Sequence, residues 1–128
     1  YQSIRNQFTS LTTEWQQAYR KKLAQEAASR LRDLQTYLGE CKDDARGCAS
    51  NYLPEAVRRT ILHEICYVLT TEELGELAAK IKGADRNLRT YARPCPFLWD
   101  EALQEAYPQD PYWWLYQRPP QPSKEKEA

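Results

Sequence analysis

The chain has no methionine, and a single histidine in 128 residues. Opening on Tyr1 without a methionine, it reads as having lost a presequence or an initiator, and no signal peptide remains to say which. No apolar run approaches the ~18 residues that cross a bilayer, so no transmembrane segment is expected. Neither charge is in excess: 18 basic and 18 acidic residues give a net charge of zero. No global field therefore draws the chain to nucleic acid or anionic lipid. Glycine-rich phosphate loops, GxSxG, HExxH and Cys-x-x-Cys are all missing. With those motifs go the usual signatures of phosphoryl transfer, serine hydrolysis and zinc proteolysis. No enzyme and no cofactor is expected. Strand-like alternation and internal repeats are lacking too, which leaves an all-α fold. A hydrophobic share of 41% with 28% charged residues argues against a chain that is disordered throughout.

What is there is helical spacing. The apolar positions Ile4, Phe8, Leu11, Trp15, Ala18, Leu23, Ala27, Leu31, Leu34 and Leu38 advance almost entirely by three or four. One helix over that span would be ~52 Å long at 1.5 Å per residue. A compact domain of this size is only ~36 Å across, from its expected radius of gyration. Either the helix breaks, or one end projects toward a partner. The hydroxyl-rich FTSLTTE at Phe8 to Glu14 offers N-cap candidates, and a break near Ser10 is the expected outcome. Gly39 is expected to end this helix.

A loop, ECKDDARGCASNYLP, leads to Pro54 at a helix start. The central helix Ala56–Leu69 has an apolar arc of Val57, Ile61, Leu62, Ile65, Cys66, Val68 and Leu69. Arg59, Thr60, His63, Glu64 and Tyr67 form its polar half, and Arg58 intrudes on the apolar one. Thr70 and Glu73 form a capping-box pattern that opens a helix over Leu74, Leu77, Ala78 and Ile81, ended by Gly83. Asp85 would cap a short helix through Tyr91. Pro96 would open another over Leu98, Trp99, Ala102, Leu103 and Ala106, stopped by Pro108. The expected architecture is a small irregular helical bundle over residues 1–108. Residues 109–128 would form an extended aromatic and proline-rich tail, with the charged end Lys124 to Ala128.

Four cysteines come next. The close spacing of Cys41 and Cys48 and the even count suggest two disulfides, Cys41–Cys48 and Cys66–Cys95. That would place the protein outside the cytosol: secreted, periplasmic or in an organelle lumen. Reduced thiols would place it in the cytoplasm. A metal alternative uses His63 and Cys66, three apart on one helix, with Cys95, or all four cysteines around an iron–sulfur cluster. The ligands are scattered and the pattern is unspecific. Glu40, Asp43 and Asp44 lack the alternating spacing of a calcium loop and read as solvated charges. His63 lies on the polar stripe Arg59–His63–Tyr67, with no nucleophile motif beside it.

Charge is unevenly placed. Lys80, Lys82, Arg86, Arg89 and Arg93 face only Asp85 within Lys80 to Pro94, an excess of +4. Asp100, Glu101, Glu105 and Asp110 stand without a base in Cys95 to Tyr116, an excess of −4. The two segments are expected to lie side by side and neutralise each other. The five cations are also candidate phosphate contacts, as are Arg20, Lys21, Lys22, Arg30 and Arg32, for a helical subunit of a nucleic-acid complex. Net neutrality makes that the second choice. The first is an interaction subunit docked in a larger protein assembly, for instance as an extrinsic subunit of a membrane complex. Its partner would be met by Tyr112, Trp113, Trp114 and Tyr116, because clustered tryptophan and tyrosine dominate interface anchors. The bland reading of the same cluster is that Trp113 and Trp114 fold back into the core.

Overall fold

A computed structural model describes residues 2–121 and bears out an all-α bundle of five helices with one two-residue ladder. The charged end Lys124–Ala128 and the side chain of Phe8 lie outside the described residues.

Helix α1 runs unbroken from Gln2 to Cys41, 40 residues and about 60 Å. The break expected near Ser10 does not occur. No proline or glycine precedes Gly39, so nothing in the backbone forces one, and the hydroxyl residues are carried within the helix. Gly39 does not end α1 either; the helix continues to Cys41, where Asp43 and Asp44 both donate their amides to the Glu40 carbonyl. The expected loop then folds into α2 (Ala45–Ser50), capped by Asp44, whose carboxylate accepts from the Gly47 amide at 2.9 Å.

Helix α3 spans Tyr52–Val68, with Pro54 and Glu55 in its first turn. Its buried face is Tyr52, Glu55, Ala56, Arg59, Thr60, Leu62 and Ile65. Val57 and Val68, expected in the core, are exposed. The buried arc is therefore turned from the apolar one, for a reason found in the tail.

The capping box forms as read: Thr70 Oγ1 accepts from the Glu73 amide, and Glu73 Oε1 accepts from the Thr70 amide at 3.0 Å. The helix it opens, α4, is only Thr71–Leu74. Gly75 stops it with φ of +58°, a left-handed conformation that glycine adopts without a Cβ clash. Helix α5 then runs Leu77–Tyr91 straight through Gly83, which breaks nothing. Asp85 is thus inside a helix, not capping one.

The core gathers where the C-terminal half of α1 packs on α3 and α5. Ala27, Leu31, Leu34, Leu38 and Cys41 line one stripe of α1, every step three or four, and all are buried. The helix expected from Pro96 to Ala106 reduces to a 3-10 turn, Glu101–Leu103, capped by Asp100. Its backbone is taken elsewhere. Cys95 donates to the Tyr116 carbonyl and Leu98 to that of Leu115, beside a ladder of β1 (Arg93–Pro94) with β2 (Gln117–Arg118).

Candidate functional site

The aromatic segment folds back across α3. Trp113–Leu115 form a 3-10 turn, and Trp114 is 1% exposed with Leu115 fully buried. Trp114 Nε1 donates to Thr60 Oγ1 at 2.9 Å, while the Thr60 hydroxyl donates to the Ala56 carbonyl. Tyr52 Oη donates to the Trp114 carbonyl at 2.5 Å. The Arg59 guanidinium lies 4.1 Å from the centre of the Trp114 ring. Its Nε and Nη2 donate to the two carboxylate oxygens of Asp85 at 2.8 and 2.9 Å.

This stack explains the turned arc of α3. Helix α3 packs on α1, and of its polar half Arg59, Thr60 and His63 are met by the tail while Tyr67 stays exposed. Arg59 and Thr60 are buried because each has a partner there, Asp85 for the charge and the indole N–H for the hydroxyl. Arg59 Nη1 finds no hydrogen-bond acceptor; the face of Trp114 is what its guanidinium meets instead, a cation–π contact.

Of the residues read as partner anchors, Trp114 is wholly internal, a correction to that reading. Tyr112, Trp113 and Tyr116 are half-buried. Tyr112 Oη donates to Glu64 Oε1 at 2.7 Å, and that carboxylate pushes the phenol up to about 12. Tyr116 Oη donates to the Tyr107 carbonyl. Trp113 lies under the Arg89 guanidinium, 3.9 Å from its ring centre. The tail is folded, not extended, because three of its aromatics have side-chain partners in the helices.

His63 is half-buried rather than free on the surface. Its ring meets Tyr112 at 5.0 Å and Trp114 at 5.6 Å. Burial, then the Arg59 charge, lower its pKa.

Cys41 and Cys48 are joined as expected, with 4.8 Å between their Cα atoms. The Tyr37 hydroxyl donates to the Cys48 carbonyl beneath them. Cys66 and Cys95 are both free, contrary to the expected second bond. Cys95 is held in the strand-like pairing with Tyr116, which commits its loop to the tail instead of to Cys66. Burial pushes both thiols up in pKa. Among the described residues no three histidine, cysteine, aspartate or glutamate side chains gather as metal ligands, so the set His63, Cys66 and Cys95 has no geometry here.

The five cations divide. Lys80, Lys82 and Arg86 are exposed. Arg89 stacks on Trp113, and Arg93 donates to the carbonyls of Thr90 and Ala92. Among the described residues no ion pair joins the +4 and −4 segments; Arg89 on Trp113 links them directly, and Asp85 reaches Trp114 through Arg59.

Of two further places, the first is the helix end whose projection was the alternative to a break, and the second was not read from the residues. The first is the N-terminal half of α1, where Ile4 is 72% and Trp15 67% exposed, and Leu11 and Tyr19 are open as well. Trp15 stacks on Tyr19 with ring centres 5.5 Å apart. Where this half joins the body, Arg20 donates through Nε and Nη2 to both carboxylate oxygens of Glu73, and again to the Val68 carbonyl at 2.9 Å. A signal existed in the spacing. The step from Ala18 to Leu23 is five, which rotates the apolar stripe by about 140°. The second place is a cavity of about 500 Å³ walled by Pro96, Phe97, Trp99 and Tyr116.

Comparison with protein-family models, curated proteins and solved structures returns no match.

Proposed function

We propose that this chain is a non-catalytic interaction subunit that docks into a larger protein assembly by pairing the N-terminal half of α1 with a partner helix. The observation that carries this is the bare stripe itself. Ile4, Leu11 and Trp15 fall on one heptad seam, to which Phe8 and Ala18 also belong in sequence. A large apolar stripe on a helix without tertiary cover is rare on a free monomer. Helical stretches of this length gain little stability alone in water, and Ser10, Thr12 and Thr13 are weak helix formers. A partner helix would supply what the body does not.

The body supports a binding role over a catalytic one. Its polar side chains at the tail are spent on structure: His63 between aromatic rings, Arg59 on Asp85 and Trp114, Thr60 on the indole. The disulfide suits an oxidising compartment outside the cytosol.

The test places a photo-crosslinking residue at Trp15 and, as control, at Tyr67, which is the most exposed large apolar side chain on α3. In the native assembly, crosslinks to another polypeptide are expected at position 15 and not at 67. Deleting residues 1–18 should release the chain from that assembly while its melting temperature changes by less than ~2 °C. Retention in the assembly after the deletion would overturn the reading.

A further inference from the structure

The chain holds four tryptophans, and two of them are each covered by a cation of its own: Arg59 over Trp114 and Arg89 over Trp113. Trp99 is half-buried at a cavity of about 500 Å³ with Phe97 and Tyr116, and no described cation lies over any of these three rings. The rings are held in place. Phe97 meets Trp99 edge-on at 6.3 Å and Tyr116 at 5.2 Å. Trp99 is braced by Tyr107 at 5.0 Å, and the Tyr116 hydroxyl is tied to the Tyr107 backbone. The two walls are joined by the Cys95–Tyr116 and Leu98–Leu115 backbone bonds. Glu101 lines the same cavity, and its carboxylate makes no hydrogen bond or ion pair among the described residues.

We infer that this pocket binds an organic ammonium group, with the rings of Phe97, Trp99 and Tyr116 as an aromatic cage and Glu101 as the counter-charge. Aromatic faces attract cations through the ring quadrupole, most strongly where the site is partly desolvated, and cages of this kind suit methylated ammonium. The charge around the pocket points the same way. The bases Arg93 and Arg118 lie on the adjoining ladder, while the segment that forms the pocket, Cys95 to Tyr116, carries four acids and no base. That field favours a cation on a neutral or basic carrier and disfavours one with a phosphate attached. The volume exceeds an ammonium head, leaving room for the chain that carries it. The site lies apart from α1 and does not depend on the helix-pairing proposal.

Titration of the intact protein with tetramethylammonium and choline, followed through the Trp99 indole N–H resonance in ¹H–¹⁵N spectra, tests this. Trp99→Phe assigns that resonance. Both cations should shift it saturably. The uncharged isostere of choline, with carbon in place of nitrogen, should bind at least about tenfold more weakly, about 1.4 kcal/mol. Phosphocholine should bind more weakly than choline. Glu101→Gln, a change at an exposed side chain, should weaken choline several-fold and reduce its salt dependence; Trp99→Ala should abolish binding. A trimethyllysine peptide that binds more tightly than choline identifies the carrier as a protein side chain, and the reverse order identifies a free small cation. Equal binding of the charged and uncharged isosteres would overturn the inference. So would a Trp99 signal that no cation moves, or an unchanged affinity in Glu101→Gln, which holds even if Trp99→Ala fails to fold.

Discussion

The two halves of α1 have the same apolar spacing and opposite surroundings. From Ala27 to Cys41 every apolar step of three or four ends in the core. Ile4, Leu11, Trp15 and Tyr19, on the same helical spacing, end in solvent. Periodicity thus establishes a helix and the side it offers, but not what covers that side. The change falls at one place. The stripe turns between Ala18 and Leu23, and within that interval Arg20 binds Glu73 and closes the body. The apolar side of α1 thus rotates at the edge of the body, and only its C-terminal half is covered by the chain's own residues.

Tryptophans test that contrast most severely. Trp114→Ala should destabilise the fold by about 3–5 kcal/mol, the usual cost of emptying a large aromatic site. Trp15→Ala should change stability by no more than about 0.5 kcal/mol, yet lower affinity for the assembly at least tenfold, about 1.4 kcal/mol. Chemical denaturation and a binding titration on the two variants separate them; a large stability loss in Trp15→Ala would erase the distinction between the halves. Leucines repeat the comparison within α1. Leu34→Ala should cost about 2–5 kcal/mol and Leu11→Ala almost nothing, read from urea midpoints.

The cross-link at the buried end of α1 is next in size. Replacing Cys41 and Cys48 together by serine should lose about 2 kcal/mol, the value chain entropy assigns to so short a loop. Hydrogen exchange should then rise near Cys41 and stay unchanged around Trp15. The smallest effect belongs to the junction. Hydrogen bonds from Arg20, then from the Thr70 amide, hold the Glu73 carboxyl at about 2, below its ordinary 4.5. A depressed carboxyl stabilises the fold above its unfolded pKa, and that contribution disappears as pH falls from about 4.5 toward 2. Glu73→Gln should therefore flatten the acid limb of the stability–pH curve between those values, measured by denaturation at several pH values. An unchanged acid limb would show that the junction carries no such linkage.

Much of the fold was legible because its signals are local. The Thr70–Glu73 box, the Cys41–Cys48 disulfide and the helical steps each depend on residues close in sequence, and each appears as read. Errors arose where distant contacts decide. Arg59 and Thr60 look like solvent-facing residues until Trp114 arrives from far along the chain to cover them. Asp85 looks like a helix cap until Arg59 claims it. The segment after Pro96 has helical spacing, but its amides bond to the tail. Gly83 and Gly75 could each have ended the helix, and the backbone alone does not say which. The candidate sites were legible in part. The aromatic cluster stood out, but which rings are buried depends on where the tail folds, and Trp99 drew notice only as part of an expected helix.

The partners that seal α3 come from residues far from it in sequence. Trp114 reaches Thr60 across 54 positions and Tyr52 across 62. During synthesis α1 and α3 leave the ribosome well before that tryptophan, so α3 first emerges with Thr60 and the Arg59 guanidinium lacking the ring that will cover them. Domains complete themselves as units when their last contacts become available. Here the contacts that close α3 are made by residues translated well after it, and any chain that stops short of Leu115 displays an open α3 groove. Such a product would be recognisable to a chaperone or protease as unfinished, whereas a chain that includes Trp114 and Leu115 covers that groove itself.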